Sequence, residues 1–353
     1  RLLSGAGLGA ATCATATYTA EVASDSIRTV LVTLSPVMMA LGTFLSYLGA
    51  LCYQESWVEV ALLGLGLSLL SLLLMPLLPE SPQWLLNRGR ADEALQALQK
   101  LQRPLAELAS FNGLVGEKNG RRSWLAALPN FRKPQTYKPL IIMNLFFILQ
   151  AMSGVSIVIA YAVDFARSVG ITSQAYHIAL GIAFARMFSS LLTAWACDHY
   201  GRRRPALLSS AIMATSVLVL ALAKSPWSSL LVPPWLAGSL LLLYVLSSSL
   251  GFSAVPWSML GEVFPIDVRG VASGMTACLV YFETFIVLKI YPCLAMSIGA
   301  FPILTFFGIS GAAGTIFLYF FLPETHGKTL AEIEEYFKGD ILKHGQSAME
   351  SSF

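Results

Sequence analysis

Long apolar runs constrain this chain more than any other feature. They fall at 2–20, 29–53, 61–79, 139–163, 168–197, 205–223, about 235–261, 270–288 and about 299–322, and Arg186 and Glu283 are charged interruptions inside two of them. A helix needs about 20 mostly apolar residues to cross a bilayer. Lipid offers backbone N–H and C=O groups no partner, and these runs are too long for barrel strands, so helices are expected. Composition agrees, since only 12% of residues are charged and 56% are hydrophobic; the charged share is about half that of ordinary globular domains. The expectation is an all-α membrane protein with nine spanning helices.

Lys and Arg are placed unevenly between the runs. Taking connections alternately, one side holds Arg28, the basic 80–138 segment, Arg202, Arg203, Arg204, Arg269 and the tail. The other holds only Arg1, Arg167, Lys224 and Lys289. The rich side reads as cytosolic, which puts the C-terminus in the cytosol. The net charge of +3 reflects this asymmetry and gives no reason to expect a nucleic-acid partner. Membrane lipid and a small solute are the expected partners. Cys13, Cys52, Cys197, Cys278 and Cys293 form no CxxC and read as small packing residues. His177, His199, His326 and His344 lack metal-ligand spacing, and no nucleophile, phosphate-loop or dinucleotide motif is present, so neither an enzyme nor a cofactor is expected.

A pattern of charged turns occurs twice. Glu21 precedes Arg28 by the same seven positions that separate Glu262 from Arg269, and each pair is followed at similar distance by a P-E-[ST] turn, at Glu80 and Glu324. The order span, E-x6-R, span, span, P-E-[ST] therefore implies an internal duplication, and repeats about an axis normal to the membrane are a transporter architecture. The second unit also carries "DHYGRRRP", from Asp198 to Pro205, whose counterpart would precede Arg1. Three further helices ahead of this chain are thus expected, making twelve in two sixes, and the chain alone is expected to transport poorly. The expected layout is a partial N-terminal bundle at 1–79, a cytosolic helical linker at 80–138, a six-helix bundle at 139–322 and a cytosolic tail at 323–353. In the linker, Leu95, Leu98, Leu101 and Leu105 recur at helical spacing.

The charged turns point to a gate. Unpaired charge at helix ends beside lipid is costly, so Glu21, Arg28, Glu80, Asp198, Arg202, Arg203, Glu262, Arg269 and Glu324 are expected to pair. Such pairs serve either rigid anchoring or a latch that breaks and re-forms during alternating access. Polar residues inside spans are the solute candidates: Gln150 and Ser156 in 139–163, and Trp257 beside Pro256, which reads as a hinge. Trp257 either stacks on a sugar ring or packs on neighbouring helices. Arg186 and Glu283 each cost about 3 kcal/mol at a helix centre by insertion scales. They read either as solute-binding and coupling groups or as a static pair.

In combination, "RLLSGAGLG", the 21–28 pair, "PESPQWLL", "QAMSG", "DHYGRRRP", "VPWSMLGEVFPIDVRG" and "PETHGKTLAEIEEYF" resemble the sugar porter branch of the major facilitator superfamily, from its fourth helix onward. The resemblance implies a sugar carrier, hexose or disaccharide, facilitative or proton-coupled. It implies that the charged turns form the inner gate, that Gln150 hydrogen-bonds sugar, and that Trp257 lies below the site. Here Ala151 and Ser156 replace a Gln and an Asn of the branch's motif, Arg186 aligns with a further Asn, Tyr281 with a tryptophan, Ala254 with a proline, and Gln83 with an arginine. A carrier of another, anionic solute held by Arg186, or a non-transporting truncated form, are the alternatives.

Overall fold

The computed structural model describes residues 2–22, 28–53, 56–101, 128–172, 174–225, 233–261, 263–265, 268–325 and 330–339. Their regular structure is helical throughout, with no strand among the described residues. The chain divides into two compact units, Arg1–Arg122 and Ser123–Phe353.

The first unit opens with α1 (Leu2–Val22), α2 (Arg28–Cys52) and α3 (Trp57–Leu74), each packed on the next. Residues 61–78 of α3 and the turn after it are exposed throughout, as suits an all-round apolar helix whose solvent is hydrocarbon. A short 3-10 turn, Met75–Leu77, contains Pro76 and ends the helix. The Tyr18 hydroxyl donates to the Pro79 carbonyl at 2.7 Å and ties α1 to the turn that carries Glu80. Next come α4 (Pro82–Asn87) and α5 (Ala91–Lys100). Ser81 caps α4 by accepting from the Trp84 N–H at 3.2 Å. The expected linker helix is present, but its buried stripe is Ala94, Ala97 and Leu98 against Leu85 and Leu86. Leu95 and Leu101 are only half-buried, and Leu105 lies outside the described residues.

The second unit contains α6 (Pro134–Met152), α7 (Val155–Ala160), α8 (Ala162–Ser168), α9 (Ala175–Tyr200), α10 (Arg203–Ala223), α11 (Pro234–Leu250), α12 (Val255–Met259), α13 (Arg269–Ile298), α14 (Ala300–Phe321) and α15 (Leu330–Lys338). Its most extensive contact joins α10 to α14, with α11 on the other side of α10 and α9 beyond it. Gly308, Gly311 and Gly314 are buried on α14, and small residues of this kind let helix backbones approach closely in a membrane. The amphipathic α15 lies on α6 through buried Ile333 and Phe337, and Lys138 donates to the Gly339 carbonyl at 2.7 Å.

Two expected spans are interrupted. The run at 139–163 becomes α6, α7 and α8, because Gly154 adopts φ +80° and Tyr161 breaks the chain again. A Cβ at Gly154 would also meet the Phe307 ring at 2.4 Å. The run at 235–261 is cut at Gly251–Ala254, ahead of Pro256. Pro256 instead opens α12, where its missing N–H costs little. Gly251 is required by contact: a Cβ there would sit 2.5 Å from the Pro205 carbonyl oxygen. Conversely, the run expected to end at 288 continues to Ile298, so Lys289 lies within α13.

Six helical stretches among the described residues are long and apolar enough to cross a membrane: Val58–Leu77, Ala175–Cys197, Arg203–Ala223, Pro234–Met259, Arg269–Ile298 and Ala300–Phe321. Pro36–Cys52 is apolar but shorter. The expected nine includes three runs outside these six: α1, which is long but less apolar, the shorter apolar stretch of α2, and 139–163, which is broken into pieces. The protein is an integral, multi-pass membrane protein of all-α class.

Gly154→Ala is expected to cost at least about 1–3 kcal/mol from backbone strain alone and to lower the melting temperature in detergent. Gly274→Ala, on helical α13 with nothing within 4 Å of the added Cβ, is expected to leave it unchanged or raise it slightly. Equal melting temperatures for the two variants would contradict the strained-turn account.

Candidate functional site

Two groups of residues in the second unit carry the polar chemistry. The first is at the start of α10. The Glu324 carboxylate accepts from the backbone N–H of Arg202 at 2.9 Å and from that of Arg203 at 3.0 Å. These are unpaired donors of a helix N-terminus, where the helix dipole also favours negative charge. The P-E-T turn thus supplies the cap that the α10 sequence lacks. Gly201 makes room for it: the residue has φ +78°, and a Cβ there would lie 2.6 Å from Glu324 Oε2. Arg203 Nη2 donates to the Tyr319 carbonyl at 2.6 Å, which fixes the end of α14 against the start of α10. Arg269 Nε donates to the Phe264 carbonyl at 3.2 Å, and Ser273 donates to the Leu260 carbonyl at 3.0 Å. Arg203 Nε and Arg269 Nη2 are buried with no hydrogen-bond partner among the described residues.

Arg202, Arg203 and Glu324, expected to pair through their side chains, meet here through contacts of the Glu324 carboxylate with the two backbone amides. Glu80 is exposed at its turn. The side chains of Glu21, Arg28 and Asp198, and the whole of Glu262, lie outside the described residues.

The second group surrounds the two helix interruptions, which face each other. Gln150, in the last turn of α6, points its Nε2 at the Ser253 carbonyl in the α11–α12 break, a long contact of 3.5 Å. The Tyr244 hydroxyl on α11 donates to the Ser153 carbonyl at 2.6 Å, and the Ser153 hydroxyl donates to the Gln150 carbonyl at 2.6 Å. Aromatic rings join the same elements. Phe146 lies 5.4 Å from Phe252, and Trp257 meets Phe147 edge-on at 5.2 Å. Trp257 also lies 5.9 Å from Tyr281 on α13. Gln150, Trp257 and Tyr281 are thereby held around one region, with Trp257 40% and Tyr281 58% exposed. Ser156 is half-buried on α7.

Three oxygen atoms near these elements are buried with no hydrogen-bond partner among the described residues: Asn144 Oδ1, Ser253 Oγ and Glu283 Oε2. Asn144 uses its amide nitrogen on the Leu140 carbonyl at 2.7 Å and on Thr276 Oγ1 of α13 at 3.5 Å, which leaves the oxygen over. Buried acceptors of this kind are costly unless a donor arrives. The patterns read from sequence do not single out Ser253, Thr276 or Phe147. Arg186 is half-buried on α9, which packs on α11, α8, α10 and α7. Glu283 is on α13, which packs on α6, α14 and α7. Among the described residues no His, Cys, Asp and Glu cluster suits a metal ion.

Comparison with known proteins gives the wider context. The family model "Sugar (and other) transporter" matches residues 1–337. The facilitated trehalose transporter Tret1 of Aedes aegypti is 29% identical over 347 residues, covering 97% of this chain and 43% of that protein. Tret1 of Culex quinquefasciatus is 28% identical over 97% of this chain and 67% of that protein. The chain thus spans less than half of the first relative and about two thirds of the second. Among solved structures, the inward open conformation of the E. coli xylose transporter XylE matches with TM-score 0.73 at 22% identity, over 91% of this chain and 68% of that one. XylE bound to 6-bromo-6-deoxy-D-glucose, a proton:xylose symporter of the major facilitator superfamily, matches with TM-score 0.68 at 22% identity. The fold is that of the superfamily.

Removing the cap tests the α10 turn. Glu324→Ala is expected to destabilise the protein by about 1–2 kcal/mol, and Glu324→Gln, which keeps an acceptor, by less. Melting temperatures in detergent should therefore rank wild type, Gln, Ala, and an Ala variant as stable as wild type would remove the capping role.

Proposed function

Because the chain belongs to the sugar (and other) transporter family, we propose that the protein of which it forms part moves a sugar, a hexose or a disaccharide, across a membrane by alternating access. The observation that carries this reading is the polar and aromatic group around the facing breaks of α6–α7 and α11–α12. A sugar presents hydroxyl donors and an apolar ring face. Asn144 Oδ1, Ser253 Oγ and Glu283 Oε2 are acceptors without partners, suited to those hydroxyls as they leave water. Trp257 and Tyr281, partly exposed, offer faces for the ring. Gln150 reads a hydroxyl by exchanging its long contact to the Ser253 carbonyl for a shorter one to the solute. Ser156 lies six residues beyond Gln150, past the Gly154 break, on α7. No covalent step is involved.

The charged turns then act as an inner gate. Arg203 Nε and Arg269 Nη2, buried without partners, are donors for acidic groups engaged in another state of the cycle. Glu21, Arg28, Glu80, Asp198 and Glu262 are the remaining members of that set. Hinge motion is placed at Gly251–Ala254, with Pro256 fixing the start of the helix beyond it. Arg186 and Glu283 are the positions from which coupling to a second ion is to be sought. The layout follows: a partial bundle at 1–79, a cytosolic linker at 80–138, a bundle at 139–322 and a cytosolic tail at 323–353. The turn of positive residues at Arg202–Arg204 faces the cytosol with the tail, in keeping with the positive-inside rule.

Uptake of labelled glucose and trehalose into proteoliposomes holding the full-length protein tests the proposal. Gln150→Ala is expected to raise KM by about tenfold, the loss of one buried hydrogen bond. Trp257→Ala is expected to lower uptake by a similar factor through lost ring contact. Uptake that organic anions, rather than sugars, compete away would replace this reading with the anionic-solute alternative.

A further inference from the structure

A groove of about 520 Å³ lies outside the polar region, between α10 and α14. Arg204, Leu207, Leu208 and Ala211 line one wall, at the i, i+3, i+4, i+7 spacing of a single helix face, and Ile316 and Phe320 stand on the other. The wall on α10 runs about 10 Å along the helix axis. Both helices are long and apolar enough to cross the membrane, and Leu208, Ile316 and Phe320 are exposed. The apolar part of the groove therefore has lipid tails as its ordinary neighbour.

Charge distinguishes its two ends. Of three consecutive arginines, Arg203 donates to the Tyr319 carbonyl, and the Arg202 and Arg203 amides are taken by Glu324. Arg204 is exposed, and no ion pair seen among the described residues involves it. The groove is thus an apolar trough with a guanidinium at its mouth that no carboxylate among the described residues compensates, in the first turn of the candidate span Arg203–Ala223. A guanidinium binds phosphate oxygens in a two-pronged fashion, and basic pockets between spanning helices are known to hold anionic headgroups. We propose that this groove binds an anionic phospholipid, its headgroup at Arg204 and one acyl chain along Leu207, Leu208, Ala211, Ile316 and Phe320.

The test is lipid retention. The full chain is incorporated in nanodiscs of phosphatidylserine, phosphatidylcholine and cholesterol, extracted gently, and the lipids that stay bound are counted by native mass spectrometry. Phosphatidylserine is expected to be retained about fivefold over phosphatidylcholine, the preference given by one basic residue near the headgroup plane. Arg204→Gln is expected to abolish that preference while still binding lipid. Ala211→Trp, which fills the trough from a lipid-facing position, is expected to lower retention of both phospholipids. Equal retention of the two phospholipids by wild type, a preference unchanged in both variants, cholesterol retained in their place, or a concentration-dependent dimer that excludes lipid would each overturn the proposal.

Discussion

Water is absent from the hydrocarbon layer, so any backbone N–H or C=O released from a helix there must find its partner within the protein. The interruptions at Ser153–Gly154 and Gly251–Ala254 depend on this requirement, and most of the polar chemistry follows from it. Tyr244 reaches from α11 to the Ser153 carbonyl. Ser209 reaches from α10 to accept from the Phe252 N–H at 2.8 Å. Within the second break, the Ser253 N–H returns to the Ser248 carbonyl at 2.9 Å. Each break is thus supported by a hydroxyl from a neighbouring helix. Breaks of this kind are tolerated at membrane depth where they are buried in protein or line a cavity.

The same logic governs the basic turn. A helix beginning with Arg203 has no side chain of its own to satisfy its first amides. Glu324, far away in sequence, supplies the acceptor, and Gly201 leaves space for it. One carboxylate therefore closes a helix end and links α10 to the segment after α14. That link joins two motifs far apart in the chain. On the adjoining surface Arg204 lies exposed at the edge of an apolar groove.

Much of this architecture was legible in the sequence. Helices were readable because lipid permits few alternatives to them, and the run boundaries at 2–20, 29–53, 205–223 and 299–322 match α1, α2, α10 and α14 closely. Gln150, Trp257 and Tyr281 were selected separately, and the structure brings them around one region. Less was legible where a long-range contact decides. Hydropathy cannot reveal that Gly154 turns left-handed under the Phe307 ring, or that the 235–261 run breaks at Gly251 against the Pro205 carbonyl. Proline was the visible breaker there, yet Pro256 follows the break. Ser253 and Thr276 were overlooked for a similar reason, since a serine or threonine in a span satisfies itself on its own helix until a neighbour is placed beside it.

Sequence alone determined the solvent: runs of apolar residues with charge confined to turns leave membrane helices as the outcome, because the backbone of such a chain can be satisfied in lipid in no other way at that length. It also determined which polar side chains would be unusual there. The tertiary structure decided where the helices stop, which amides Glu324 would cap, and which oxygen atoms would be left without donors. Those outcomes depend on atoms brought within a few ångströms from positions far apart in the chain, and no local pattern of residues encodes such distances.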